Sequence, residues 1–370
     1  EISLERARAG GFAERTELRE LLANRGFRFA GDRDFSVSRL KLAERTRQAL
    51  AEIGNNVAGV QLPRLKAVEA LDLALDQHRF VEIRGGPGVG KSAVLKHAAE
   101  RIAAQANVLV LDPVSTPEGG WAALAQTLDL QATAQEFLGD LATSGGGVVF
   151  IDSLEMFTSP ARRRTVNDLL REIAAIEGLS VVTTTRSEFG AEGDDWLAPE
   201  LASLLGPIQM VTVGELDDDE VETLREHAPE LRALLAPGHA AAAIVRNLYR
   251  LSRLLKVPST TTIRSEAALA SHWWQTADSA EPTDRRAAQR LMADLAGAAL
   301  AGRNAIEVRD DSPARNHLLR SQTLIEPRRD HLRFYHDVLR DWAVGARLHE
   351  DPDGFSTLDL GVPASAKVAR

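Results

Sequence analysis

Between residues 57 and 213 short, almost wholly apolar runs alternate with longer helix-forming stretches. The apolar runs are 80–84, 108–112, 148–152, 180–185 and 208–213. Runs this uniformly apolar predict strands buried on both faces. Strands separated by helical stretches predict a parallel sheet wrapped by helices, an α/β fold. The helical stretches fall at 65–77, directly after the glycine-rich segment 85–92, and near 131–143, 160–177 and 196–205.

The pattern changes after residue 213. Asp217, Asp218, Asp219 and Glu220 predict a helix start, because acids are favoured at a helix's positive end. Pro237-Gly238 separates this region from a long helix expected at about 239–256. From 259 to about 350 the order becomes helix (266–276), helix (284–301), strand (305–309), helix (313–323), hairpin (324–336) and helix (337–348). That succession predicts a winged helix. Residues 1–56 read as polar, amphipathic helix broken at Gly10-Gly11 and Gly31-Asp32, an arm, a linker or the tail of an upstream domain. The expected division is therefore an N-terminal segment (1–56), a nucleotide-binding domain (57–213), a helical lid (214–258), a winged helix (259–350) and a poorly ordered tail (351–370). No internal repeat is visible.

Composition narrows the function classes. A chain of 370 residues is too long for one ordinary core. Cysteine is absent, which excludes disulfides and thiolate metal sites and fits a reducing cytoplasm. No apolar run is long enough to span a bilayer and no secretory pattern opens the chain, so no membrane partner is expected. The start at Glu1 rather than Met suggests an excerpt of a longer protein. A net charge of −9 argues against a chain that coats nucleic acid.

The strongest chemistry lies in Gly85-Gly86-Pro87-Gly88-Val89-Gly90-Lys91-Ser92, which fits G-x-x-x-x-G-K-[ST] between a predicted strand and a predicted helix. Glycines let successive backbone N–H groups face one anion, and the helix N-terminus adds partial positive charge. Together with Ala93 these residues are the expected phosphate-binding set. Lys91 would reach the β- and γ-phosphates, and Ser92 would ligate Mg²⁺. Asp152, ending an apolar strand, is the expected second Mg²⁺ group. Glu155 either polarises the attacking water or caps the next helix. Arg186, at the ligand-binding edge of the sheet, either touches the γ-phosphate or caps the sheet. Leu62-Pro63-Arg64 lies where a backbone segment can pack on adenine.

With these residues in place the chain resembles the STAND class of P-loop ATPases, signalling relatives of AAA+ proteins that include the NB-ARC and NACHT families. The resemblance covers about 57–348. Residues 85–92 match its Walker A loop, and 148–152 with Glu155 resemble its extended Walker B. Thr184-Thr185-Arg186 resembles its sensor, and Phe334-Tyr335-His336-Asp337 is similar to its Met-His-Asp motif. The resemblance implies an ASCE-type P-loop NTPase fold followed by a helical and a winged-helix domain. It implies an ATP/ADP switch with slow hydrolysis, in which His336 contacts the β-phosphate of ADP and locks a closed form. It also implies self-association in the ATP state, sensor or effector regions outside the chain, and a role in bacterial defence or regulation. Two positions depart from the family: Tyr335 stands where Met is usual, and 246–251 lacks a clean Gly-Leu-Pro-Leu, so a proline contact to adenine is not carried over.

The rival reading is an AAA+ ring motor or DNA-loading ATPase that uses the winged helix. Ser153 after Asp152, where ring motors carry Glu, opposes it, as does the lack of any Arg or Lys in 190–213, where an arginine finger would lie. Arg162-Arg163-Arg164 reads as a solvated helix start. Trp273, Trp274 and Trp342 at helical spacing read as core. Arg315, Arg320, Arg328 and Arg329 fall where a winged helix contacts DNA, but Asp310, Asp311, Glu326 and Asp330 interrupt them. His317 and His331 have no metal-ligand spacing.

Overall fold

The computed structural model describes residues 34–351 except 158, 187–203, 205, 243, 259–260, 279–281 and 304, and upstream also 22, 24 and 25. The apolar runs form five parallel strands: β3 (Phe80–Gly85), β4 (Asn107–Leu111), β5 (Gly147–Ile151), β6 (Leu179–Arg186) and β7 (Gln209–Thr212). Their order is β4-β5-β6-β3-β7, which puts the strand before the glycine loop between β6 and β7. Register fixes what meets at the carboxyl edge. Gly85 lies beside Arg186, and Ile151 beside Thr183.

The sheet is buried on both faces, as its runs predict. Val81, Ile83, Val110, Phe150 and Val182 pack under α2 (Leu65–Gln77) and α3 (Lys91–Ile102). Leu109, Leu111, Ile151 and Val181 pack under α4 (Trp121–Thr127), α5 (Ala134–Thr143) and α6 (Pro160–Ala174). The seven-residue α4 has no counterpart in the sequence reading. The helix expected near 196–205 lies, but for residue 204, outside the described residues.

The helix α1 (Ser36–Ala51) falls in the segment expected to be an arm or linker, yet it packs as a sheet helix. Leu42 joins one core and Leu50 the other, so α1 straddles the edge strand β4. The Thr46 hydroxyl donates to the Val108 carbonyl at 2.8 Å, using an acceptor on that edge. The early glycines and the tail beyond 351 lie outside the described residues. A two-residue hairpin pair, β1 (Asn56–Val57) and β2 (Val60–Gln61), leads from α1 to α2.

Beyond the sheet come α7 (Asp218–His227), α8 (Leu248–Leu254), α9 (Glu266–Thr276), α10 (Pro282–Leu300), β8 (Ile306–Glu307), α11 (Pro313–Arg320), β9 (Leu324–Arg328), β10 (His331–Phe334) and α12 (Asp337–Glu350). The three strands pair antiparallel in the order β8-β10-β9. The acidic start of α7 is a full capping box: Asp217 accepts from the Glu220 amide, and Glu220 accepts from the Asp217 amide. The long helix expected at 239–256 shrinks to α8. Asn247 takes an extended conformation and caps α8, its side chain accepting from the Arg250 amide at 3.2 Å.

One apolar core runs through this whole region, joining Leu224 and Leu251 to Met292, Leu318 and Trp342. The stretches expected as separate lid and winged-helix domains thus share their interior. The tryptophans are part of it, with ring centroids of Trp273 and Trp342 5.8 Å apart. Arg315 is tied to Glu326 at 2.7 Å and to Asp311 at 3.4 Å, so that cation is already committed within the C-terminal region.

Candidate functional site

The loop between β3 and α3 runs through two left-handed glycines, Gly88 (φ +77) and Gly90 (φ +97). Both also lack room for a side chain. A Cβ on Gly88 would sit 2.6 Å from Asn247 Oδ1, and one on Gly90 would sit 2.8 Å from a Leu248 methyl. The loop leads into α3, whose first residue is Lys91. The Lys91 ammonium donates to the Gly85 and Gly86 carbonyls at 3.0 and 2.9 Å. Burial lowers its pKa, against the pull of the acids Glu155, Asp337 and Asp152. Val89 buries its side chain in the sheet core and Ala93 is buried too, so any share they have in a phosphate site is through the backbone.

Asp152 follows β5 directly and is buried. One of its carboxylate oxygens accepts from Ser92 Oγ at 2.8 Å and from Thr184 Oγ1 at 2.6 Å. Thr184 in turn accepts from the Ser153 amide at 2.7 Å. Burial raises the Asp152 pKa, and the two hydroxyl donors work against that rise. The Ser92 hydroxyl and the Asp152 carboxylate form a pair of hard oxygen donors next to the loop, the donor chemistry that suits Mg²⁺.

Arg186 ends β6 inside a nest of acids. It is ion-paired with Asp337, its Nε lying 3.1 Å from Asp337 Oδ2. Glu155 and Asp341 lie 3.5 and 3.7 Å from it. Arg340 approaches Asp337 at 3.8 Å and Asp341 at 3.0 Å. The guanidinium is 9% exposed, so these pairs act at low dielectric. Burial opposes the Arg186 charge, but Asp337, Asp341 and Glu155 more than offset it and raise its pKa. Burial also opposes ionisation of Asp337, yet Arg186 and Arg340 hold it well below the usual carboxylate range. Glu155 has no such surplus of cations. Burial and the neighbouring Asp337 push it up to about 7, despite Arg186 and Lys91.

His336 is the N-cap of α12, with Nδ1 accepting from the Val338 amide at 3.1 Å. Its ring stacks on Tyr249 with centroids 3.7 Å apart and planes 13° apart. Burial lowers its pKa to about 4, and the cations Arg186 and Lys91 push the same way. The ring is therefore neutral near pH 7. Because Nδ1 accepts, the proton resides on Nε2, which is a donor.

Arg64 precedes α2 in a left-handed conformation (φ 53). Its guanidinium donates to the Val89 carbonyl at 2.5 Å and to the Gly214 carbonyl at 2.8 Å, and pairs with Glu220 at 2.8 Å. The side chain is thus spent on the outside of the glycine loop and on residues 214–220, the start of the region after the sheet.

The fold brings Lys91, Ser92, Asp152, Glu155 and Arg186 to one edge and sets His336 within electrostatic reach of Lys91 and Arg186. Sequence reasoning missed Asp341, Asn247 and Tyr249 as site residues. Asp341 had a signal, since acids four apart at 337 and 341 share one helix face.

A parallel sheet in this strand order, with a glycine loop, an invaginated lysine and a Ser–Asp oxygen pair at its carboxyl edge, defines a P-loop NTPase. Residues 48–249, more than half of the chain, match the model of the novel STAND NTPase 1 family. The chain belongs to that family and is a nucleotide-dependent ATPase of the STAND class. Among curated proteins no sequence matches it. In solved structures it is similar to a Walker-type ATPase of Pyrococcus abyssi (17% identity, 76% of this chain and 95% of that one, TM-score 0.42). It is also similar to an ORC2 protein of Aeropyrum pernix in ADPNP and ADP complexes (14%, 80% and 98%, 0.42) and to RuvB of Thermotoga maritima (16%, 78% and 91%, 0.33). Among the described residues no helix is long and apolar enough to cross a membrane.

Proposed function

We propose that this chain is the adenine-nucleotide switch of a signal-transduction ATPase. The observation that supports this best is the commitment of Arg186, at the end of a sheet strand, to Asp337 and Asp341 in the last helix. The arginine that this reading assigns to the γ-phosphate is held by carboxylates of the C-terminal region. A γ-phosphate and Asp337 would compete for one guanidinium, so ATP and the docked C-terminal region exclude each other. ADP has no group to compete, and the neutral His336 would donate from Nε2 to its β-phosphate and hold the docked form. Such a switch needs ATP and ADP to favour the two forms by roughly 1–3 kcal/mol or more.

In this reading residues 85–93 cradle the phosphates, with Lys91 on the β- and γ-phosphates. Ser92 and Asp152 would hold Mg²⁺, which supplies charge neutralisation between the phosphates when bound. Glu155 takes the proton of the attacking water as its oxygen bonds to the γ-phosphorus and ADP leaves. While Glu155 is paired with Arg186 and pushed toward neutrality, turnover is slow. The 259–350 region acts as a winged helix. The lid shares its core, so the two turn together relative to the sheet domain. The undocked form self-associates, sensor or effector regions lie outside this chain, and the setting is the cytoplasm, in defence or regulation.

The test is to identify the nucleotide released on denaturing the purified protein, then to compare its radius of gyration and mass with ADP and with a non-hydrolysable ATP analogue. Retained ADP, a compact monomer with ADP and an expanded or associated form with the analogue are expected. A ring that turns over ATP constitutively, with the same shape in both nucleotides, overturns the reading.

A further inference from the structure

Three consecutive carbonyls of the glycine loop are held from outside the loop. The Pro87 carbonyl accepts from Asn247 Nδ2 at 2.9 Å, the Gly88 carbonyl from the Tyr249 amide at 3.1 Å, and the Val89 carbonyl from Arg64 Nη1 at 2.5 Å. Within a planar trans peptide the carbonyl and the following N–H point in opposite directions. Fixing these carbonyls therefore aims the N–H groups of Gly88, Val89 and Gly90 the other way, into the hollow of the loop. Asn247 and Arg64 are both buried, at 2% and 6% exposure, so neither bond is shared with bulk water.

We infer that Asn247 and Arg64 are positioning residues, which latch the lid onto the glycine loop and orient the amides that receive the phosphates. The inference rests on the phosphate-cradle reading of 85–93. Asn247 and Tyr249 belong to the body that carries His336, and the Tyr249 ring stacks on that histidine. Arg64 belongs to the sheet side but reaches the Gly214 carbonyl and Glu220 at the lid's start. The same bonds that aim the amides thus dock the lid. By reciprocity, a bound diphosphate tightens the lid, and a displaced lid loosens the diphosphate. The close approach also explains why Gly88 and Gly90 face the lid without side chains.

Asn247 does two jobs that can be separated. Its Oδ1 caps α8 and its Nδ2 holds Pro87. Asn247→Ser keeps a capping oxygen but has no amide donor, and Asn247→Ala keeps neither. The readouts are affinity for ADP, affinity for adenosine and the thermal midpoint. The latch predicts that both variants lose about tenfold in ADP affinity with adenosine affinity unchanged, and that Asn247→Ala, which also loses the cap, drops further in midpoint than Asn247→Ser. ADP binding by Asn247→Ser at the original affinity overturns the latch, as does an equal loss for ADP and adenosine. Lys91→Ala is the separate control. If it binds ADP as the parent does, the cradle reading itself falls, whereas ADP loss in Lys91→Ala with none in Asn247→Ser sinks only the latch.

Discussion

The two bodies of this molecule are each held together by hydrocarbon, but the joint between them at the site is polar. The sheet body has Val81, Phe150 and Val182 with no measurable exposure, and the lid with the C-terminal region has Leu251, Met292 and Leu318 equally buried. Where the bodies meet over the carboxyl edge, the contacts include Arg186 with Asp337 and Asp341, Arg64 with Glu220, Asn247 with Pro87 and the Tyr249 amide with Gly88. Val57 of the β1–β2 hairpin and Leu62 just after it join the C-terminal core, and that is an apolar tether at the chain's entry to the sheet. The difference teaches where change is possible. Leucine packing has no competitor in solution, whereas a phosphate can replace a carboxylate on a guanidinium and leave every charge satisfied.

The largest effect should come from a substitution that leaves the joint alone. Glu155→Gln removes the proposed base but keeps size and burial, so single-turnover ATP hydrolysis should fall about a hundredfold to ten-thousandfold. ADP affinity and compactness should hold. Unchanged hydrolysis would move the base elsewhere and leave Glu155 as an ion-pair partner of Arg186 alone.

The converse substitution attacks the joint and spares the chemistry. Asp337→Ala leaves Arg186 without its nearest acid, a loss of about 3 kcal/mol or more for a buried pair. The docked form should become the minor one, seen as an increased radius of gyration and faster protease cleavage in ADP. A charge exchange, Arg186→Asp with Asp337→Arg, should restore part of the docking. A double-mutant cycle with no coupling energy would show that the pair does not hold the bodies together. Lys91→Ala comes next in size. Loss of the charged donor proposed for the phosphates should weaken ADP and ATP binding about ten- to a hundredfold by calorimetry.

The two bodies also differ in how far they can be read from sequence. The sheet's strands are legible to within a residue or two because uniform apolar runs leave a buried strand as the reading. The loop is legible because Gly88 and Gly90 need left-handed backbone. Lys91, Ser92 and Asp152 follow, since register alone sets them together. The joint is different. Nothing local says that Asn247 interrupts an apolar helix at 239–256 to reach Pro87, a contact 160 residues away along the chain. Nothing local says that Arg64 turns to Val89 and the lid rather than to a base. The α1 helix reads as a polar arm because only one stripe of it, with Leu42 and Leu50, meets the sheet edge. Residues that act across a tertiary boundary leave little pattern in either segment.

The smallest predicted effect measures the joint's field through Glu155. Its carboxyl is pushed up to about 7, first by burial and next by Asp337. A base works only when ionised, so kcat/KM for ATP, which reports the free and docked enzyme, should rise about tenfold per pH unit below 7 and level off above it, and Glu155→Gln should show no such inflection. His336, with its pKa lowered to about 4, and Asp337, held ionised, do not titrate in that window. The joint's two charges should then move the inflection in opposite directions. Asp337→Ala removes an anion that disfavours ionised Glu155 and should shift it down, whereas Arg186→Ala removes a cation that favours it and should shift it up. An inflection that stays put in both variants would mean that Glu155 titrates without feeling the C-terminal body, and that docking does not restrain the catalytic base.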